Sequence, residues 1–193
     1  MRRGVPIGPT LLVAVAVPIM LALSWWQGMV RAPWKDAVLA QAAANWDAPP
    51  IALPAVLSPD LAFRRVIVTC ATLVAEGPAG AATATTGAHG FRYRATCTPT
   101  GRDPLPVSFG VSLQPKVSVT VAATTLTGRL IPHGTPPFLL IADTPPPPLL
   151  AEHAPGVETI TNNHLSYAVQ WFGFALTLLI IYGVYVRRWR RGG

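Results

Sequence analysis

His164 is the residue of this chain best placed to do chemistry, because of where it stands and what stands beside it. It lies in NNHLSYAVQWF, at the mouth of an apolar run that ends in RRWRR. With Asn162 or Asn163 as a cap, a helix starting there carries His164, Tyr167 and Trp171 at i, i+3 and i+7 on one stripe, with the small Ala168 and Ala175 on the same side. A neutral imidazole flanked by two flat aromatic surfaces suits an axial ligand of haem iron, and apolar surroundings suit a porphyrin. The same three residues equally describe a histidine at headgroup level beside interfacial aromatics, holding nothing. Cys70 and Cys97 are a second candidate pair. A disulfide between neighbouring strands and two buried thiols both satisfy the pattern, whereas copper lacks the closely spaced Cys or Met ligands it favours. His89, His133 and His153 lie in loop-like sequence without partners at metal-site spacing. Arg92 and Arg94 read as a solvated strand face that an acidic surface or haem propionates could also meet. The sequence holds no nucleophile elbow, phosphate loop, His-Glu-x-x-His or dinucleotide fingerprint, and its eight acidic residues form no acid/base pair. The expectation is a protein that is not an enzyme.

The elements that must position His164 are membrane spans. Half of the residues are hydrophobic and 12% are charged; no charge falls between Arg3 and Arg31, nor between Glu158 and Arg187. Each window exceeds the roughly 20 apolar residues that cross a bilayer. Arg2 and Arg3 precede the first span, and Arg187, Arg188, Arg190 and Arg191 follow the second. An excess of Lys and Arg stays on the cytoplasmic side, so both termini are expected inside and the middle outside. That outside is a bacterial periplasm, with the chain in the inner membrane, or the mitochondrial intermembrane space. Residues 4–186 hold nine Lys/Arg against eight Asp/Glu, so the net charge of +7 is concentrated at the ends. The basic balance is a topology signal and gives no reason to expect nucleic acid. A cleaved signal peptide is the rival for the first span, with small residues Ala22 and Ser24 near a cut; the run from Ile7 to Val30 is longer than the usual core of about 7–15 residues, and Trp25–Trp26 fit an outer aromatic belt. Pro9 and Pro18 predict a bend or a close neighbour.

Between the spans the pattern changes. RAPWKDAVLAQAAANW predicts a short amphipathic helix with Pro33 in its first turn, stopped by Asp47-Ala-Pro-Pro. In GFRYRATC, Phe91, Tyr93, Ala95 and Cys97 alternate with Arg92, Arg94 and Thr96, which is a half-buried strand. LPVSFGVSL alternates likewise, although Pro106 suggests an edge strand or a late start. VSVTVAATTLTGRLI supplies a further strand through Val117, Val119 and Val121. FRRVIVTCATLV, apolar on both sides, is a candidate for the sheet centre, and PAGAATATTGAHG reads as a mobile loop. From Pro132 the chain is proline-rich, and Pro145 to Pro148 should run as a stiff polyproline strap back to the membrane. The expected fold is therefore a membrane protein with N- and C-terminal transmembrane α-helices flanking a small antiparallel β domain outside the membrane. Its segments are 1–30, 31–131 for the helix and β domain, 132–161 for the strap, and 162–193.

These motifs resemble the surfeit locus protein 1 family of cytochrome c oxidase assembly factors. NNHLSYAVQWF is similar to the family's Asn-x-His-Leu-x-Tyr followed by Trp-Phe or Trp-Tyr, with Asn162, His164, Leu165, Tyr167, Trp171 and Phe172 in place. WWQGMVRAPWKDAVLAQ resembles the family's Trp-Gln…Arg…Trp-Lys through Trp26, Gln27, Arg31, Trp34 and Lys35, with one extra residue between Gln27 and Arg31. FRRVIVTCATL is a weaker match, with Cys70 where the family usually has Gly. The chain departs in the middle, where VSFGVSLQP keeps only Gly110 and Pro115 of an Asn-Arg-Gly-Trp-Val-Pro-like stretch. The resemblance implies binding of haem a at the outer membrane surface and its delivery to the catalytic subunit of a haem–copper oxidase. His164 is then the iron ligand, Tyr167 and Trp171 flank the ring, and Trp26 and Gln27 close the other side of a groove between the two helices. The implied partners are that catalytic subunit, membrane lipid and the haem a synthesis machinery. Two alternatives stand beside it: an accessory structural subunit retained on the mature oxidase, and a periplasmic thiol or copper carrier using Cys70 and Cys97.

Overall fold

The computed structural model describes residues 4–121, 124–134 and 137–192. Arg2 and Arg3, named above, lie outside them. The chain forms two compact units, residues 1–37 with 161–193, and residues 38–160.

The first unit is a pair of apolar helices. Helix α1 spans Ile7–Trp25 and passes through a π-helical turn, Trp26–Arg31, into α2, Ala32–Asp47. Helix α3 spans His164–Arg191. Both stretches are long and apolar enough to cross a membrane, and a helix is the form that satisfies its own backbone there. Pro9 falls in the first turn of α1, where its missing N–H is one of the unpaired donors anyway, and Pro18 lies inside the helix without ending it. The helices meet through Val13, Val17 and Ala175, with Met20, Leu178 and Tyr182 around them. Two hydroxyls add polar contacts, Thr10 Oγ1 with Tyr182 OH at 2.6 Å and Ser24 Oγ donating to the Ala168 carbonyl at 2.8 Å. Leu11, Leu12 and Val15 on α1, and Leu165, Val169 and Ile180 on α3, remain exposed, as residues facing lipid should be.

The short separate helix expected after residue 31 is instead a continuation of the first span. Pro33 has no N–H and its ring crowds the carbonyl four residues back, that of Met29. The wider turn relieves this, and the Ala32 N–H donates to the Gln27 carbonyl, five residues earlier.

The second unit is a seven-stranded sheet in the order β1-β2-β6-β7-β5-β4-β3. The strands are β1 Ile51–Ala52, β2 Arg65–Thr69, β3 Thr72–Thr83, β4 His89–Thr98, β5 Leu105–Ser112, β6 Thr125–Pro132 and β7 Phe138–Ala142. The sheet is mixed, not purely antiparallel, because β1/β2 and β5/β7 pair in parallel. It is also curled. Only Cys70 and Ala71 separate β2 from β3, a reach of roughly 10 Å, yet five pairing steps of about 4.8 Å lie between them along the ladder. The sheet must close on itself like an open barrel. Its interior holds Val66, Val68, Tyr93, Ala95, Leu105, Val107, Phe109, Leu130, Phe138 and Leu140, and the Cys70–Cys97 disulfide lies against them.

Several expectations are corrected here. FRRVIVTCATLV does not form the sheet centre; it divides at Cys70 into β2 and β3 on opposite sides of the ladder, with Ile67 outside. The centre is FLLIA, inside the expected strap 132–161: β7 pairs with both β5 and β6. Leu140 faces the barrel interior, while Leu139 and Ile141 lie under Ala42, Trp46 and Phe63, so both faces need apolar residues. β5 is an inner strand, buried throughout, and Pro106 occupies its beginning, the other position a strand proline tolerates. PAGAATATTGAHG is largely paired: β3 and β4 run on as a hairpin, with register shifts near Gly77 and Gly80, both at positive φ. Residues 117–121 are irregular, and Val117, Val119 and Val121 lean on the core without forming a strand. The prolines do not run straight either. The chain turns at Pro147–Pro148, a cis peptide, and Leu150 bridges to Val111. Gly110, at φ 138°, makes room for that approach, since a Cβ there would strike the Leu150 carbonyl.

Candidate functional site

His164 is the first residue of α3. Asn163 precedes it as the cap position, and the Asn162 side chain accepts the His164 backbone N–H at 3.4 Å. The Asn162 amide in turn donates to Asp36 Oδ1 at 2.7 Å and approaches the Ala32 carbonyl at 3.4 Å. The head of α3 is thus tied to the end of the π turn and the first turn of α2. In the opposite direction, one helical turn into α3, Ala168 is buried against Gly28 and Ser24.

This clasp brings His164 onto Gln27. His164 Nδ1 donates to Gln27 Oε1 at 2.7 Å, since the amide oxygen can only accept. Nε2 then keeps its lone pair. Gln27 is held in turn by the π-helical geometry of Trp26–Arg31. Trp26, expected beside Gln27 on one wall of a groove, packs instead under the Arg31 guanidinium at 5.6 Å, and Trp34 meets the same guanidinium at 4.7 Å. Arg31 Nε is buried there without a hydrogen-bond partner. Tyr167 is about half exposed (48%), and Trp171 sets its ring edge-on to Phe174. Of the five residues singled out, the structure therefore joins His164 and Gln27 directly, sets Trp26 and Trp171 in separate contacts, and leaves Tyr167 half exposed. Asp36 and Arg31 were missed as neighbours of the site, and Ser24 and Gly28 as the helix packing behind it. Only the small-residue match of Gly28 with Ala168 left a trace of this packing in the sequence.

One open imidazole nitrogen is a poor set for a bare metal ion, which takes three or four protein ligands. It does fit an iron already held by a porphyrin, for which the protein supplies one axial donor. Among the described residues no group of three His, Cys, Asp or Glu could hold a metal ion.

The remaining candidates resolve differently. Cys70 and Cys97 form a disulfide, and both residues are buried, so neither presents a thiolate to a carrier's cargo. Arg92 is not a free cation on a solvated face: it is paired with Glu152, whose other oxygen accepts the Ser108 hydroxyl. That carboxylate is 2% exposed. Arg94 lies 3.7 Å from Glu76. His89 bonds the Thr83 hydroxyl at 3.1 Å, while the His133 and His153 backbones donate to the carbonyls of Pro137 and Thr83.

A family model described as the SURF1 family matches residues 14–131 and 78–176 of this chain. A SURF1-like protein from Rickettsia conorii is 45% identical over 42 residues, covering 22% of this chain and 16% of that protein. The aligned part thus spans about a sixth of the curated relative's length.

Proposed function

This chain belongs to the SURF1 family, and from that premise we propose that it is an assembly factor for a haem–copper cytochrome c oxidase. It holds haem a at the outer membrane surface and passes it to the catalytic subunit. The observation that carries this reading is the head of α3, where His164 is fixed through Nδ1 and keeps one nitrogen for coordination. Haem, if bound, would be held through the free nitrogen of His164 and would supply the iron that the protein carries. The protein's part is to present a neutral imidazole, hold its orientation and exclude competing donors; no bond is made or broken on a substrate, so this is not an enzyme. A single imidazole nitrogen, with no cluster of three His, Cys, Asp or Glu among the described residues, also suits a cargo that must leave.

The working partners are the oxidase catalytic subunit, the haem a synthesis machinery and the surrounding lipid. The working location is a bacterial inner membrane with both termini cytoplasmic and the sheet unit periplasmic, or the mitochondrial inner membrane in a eukaryote. A second reading, an accessory subunit that stays on the mature oxidase, is favoured by the loss of the Asn-Arg-Gly-Trp-Val-Pro-like stretch at VSFGVSLQP.

The test is to purify the protein in detergent from cells that make haem a and record its absorption spectrum beside that of His164→Ala. The expected result is about one haem per chain in the wild type and loss of at least 90% of it, about tenfold, in the variant. A haem-free wild type that co-purifies with assembled oxidase would select the accessory subunit instead.

A further inference from the structure

We infer that Gln27 is a positioning residue that turns the coordinating nitrogen of His164 away from the first helix, so that haem is taken on the outer flank of α3 and not in a groove between the helices. The inference rests on the haem reading proposed above and departs from the groove that the family resemblance implies.

Two independent observations carry it. The first is the direction of the imidazole. Nδ1 is spent on Gln27 Oε1 at 2.7 Å, and Gln27 belongs to the first helix. The two ring nitrogens of an imidazole point to nearly opposite sides, and the bond made by one fixes which atom is left for a metal. With Nδ1 spent on Gln27, Nε2 is the nitrogen left for a metal, on the far side of the ring from the first helix.

The second observation is the space between the helices. A Cβ added to Gly28 would sit 3.3 Å from the Ala168 Cβ, the Ser24 hydroxyl reaches the Ala168 carbonyl at 2.8 Å, and Ala175 is 1% exposed at the same interface. A porphyrin has no room to enter there unless the helices part. Backbones brought this close by Gly and Ala are a packing interface. A ligand on the outer flank can also move sideways within the membrane to a partner without opening the pair, which is what delivery needs.

The two parts are tested separately. The imidazole state is read on haem-free protein in nanodiscs, labelled with 15N-histidine, with the His164 signals identified among the four histidines by His164→Ala. The wild type should show protonated Nδ1 and bare Nε2. Gln27→Leu should lose that preference, and Gln27→Glu, which keeps an acceptor, should retain it. With iron protoporphyrin IX as the probe, Gln27→Leu should bind about 10- to 100-fold more weakly, the usual effect of removing a group that orients a metal-bound histidine. A wild type with the proton on Nε2 overturns the role of Gln27.

The flank is tested by locking the interface. Gly28→Cys with Ala168→Cys brings two Cβ atoms within disulfide reach, and oxidation should leave iron protoporphyrin binding at the wild-type affinity. Binding lost on oxidation and regained on reduction, with oxidised wild type as the control, places the ligand between the helices and overturns the proposal. A wild type that binds no iron porphyrin defeats the functional reading and the flank together, while the spectrum of the haem-free protein still decides the part played by Gln27.

Discussion

His164 was legible in the sequence because an imidazole at the edge of an apolar run is expensive and conspicuous; its partner was not. Gln27 lies 137 residues away, and nothing in the local pattern says that its amide oxygen meets a ring nitrogen and not a cofactor. Arg129 shows the same limit in the sheet unit. Its guanidinium lies 3.7 Å from the Trp46 ring centre and donates to the carbonyls of Trp46 and Phe63 at 3.0 and 2.8 Å. The first carbonyl ends α2, and the second belongs to a buried phenylalanine at φ 64°, a conformation that a bulky residue rarely adopts. Burial, then neighbouring Arg65, lower the Arg129 pKa, while Asp143 and Asp47 act against them; an arginine starts so high that the contact stays charged at working pH. Arg129→Ala removes two charge-assisted bonds and the stacking together, and should cost about 2–3 kcal/mol. Arg129→Lys should recover only part of that, because an ammonium offers no planar face. Urea unfolding of the full chain in detergent, followed by tryptophan fluorescence, measures both; equal stability of all three proteins would remove Arg129 from this role.

At the scale of elements, sequence periodicity identified what was local and failed where the surroundings decided. GFRYRATC alternates and became β4, with Tyr93, Ala95 and Cys97 buried as the pattern required, while Phe91, read on the same face, is exposed. FLLIA has no period, and only its place between two strands and under α2 explains its five apolar residues. The π turn is the clearest gain. The wide turn accommodates Pro33 within one continuous helix, so the segment keeps its direction through the proline. Replacing Pro33 with alanine should therefore let the segment return to ordinary α-helix with stability no lower than that of the wild type, read from backbone chemical shifts and thermal unfolding; a π turn that persists would contradict it. The disulfide is a different kind of device. It closes a loop with a sequence separation of 27 and joins the β2–β3 turn to β4. Chain-entropy arguments give about 3.5 kcal/mol for a loop of that size. Cys70→Ala with Cys97→Ala should show a loss of that order in chemical unfolding, whereas an unchanged midpoint would mean that the curled sheet holds its closure without it.

For the whole molecule, two unrelated observations support the orientation proposed above. The arginines at 187, 188, 190 and 191 follow the second apolar helix, which favours a cytoplasmic C-terminus. The Cys70–Cys97 disulfide belongs to the sheet unit, and such bonds persist in an oxidising compartment, outside the cytoplasm. Charge sorting and redox chemistry are independent, so their agreement is stronger than either alone. It was only half legible beforehand, because the sequence left the cysteines as a pair of thiols or a bond. The proposed orientation matters for the proposed function because it would set His164, at the start of α3, at the non-cytoplasmic end of that helix. Green fluorescent protein fused after Gly193 should fluoresce in a bacterial host, and alkaline phosphatase fused after Pro155 should be active. Replacing the four arginines with glutamine should reduce the first signal, since the orienting charge at that end is gone. A dark fluorescent fusion beside an inactive phosphatase would invert the topology, move the disulfide into a reducing compartment and take the haem site to the wrong face of the membrane.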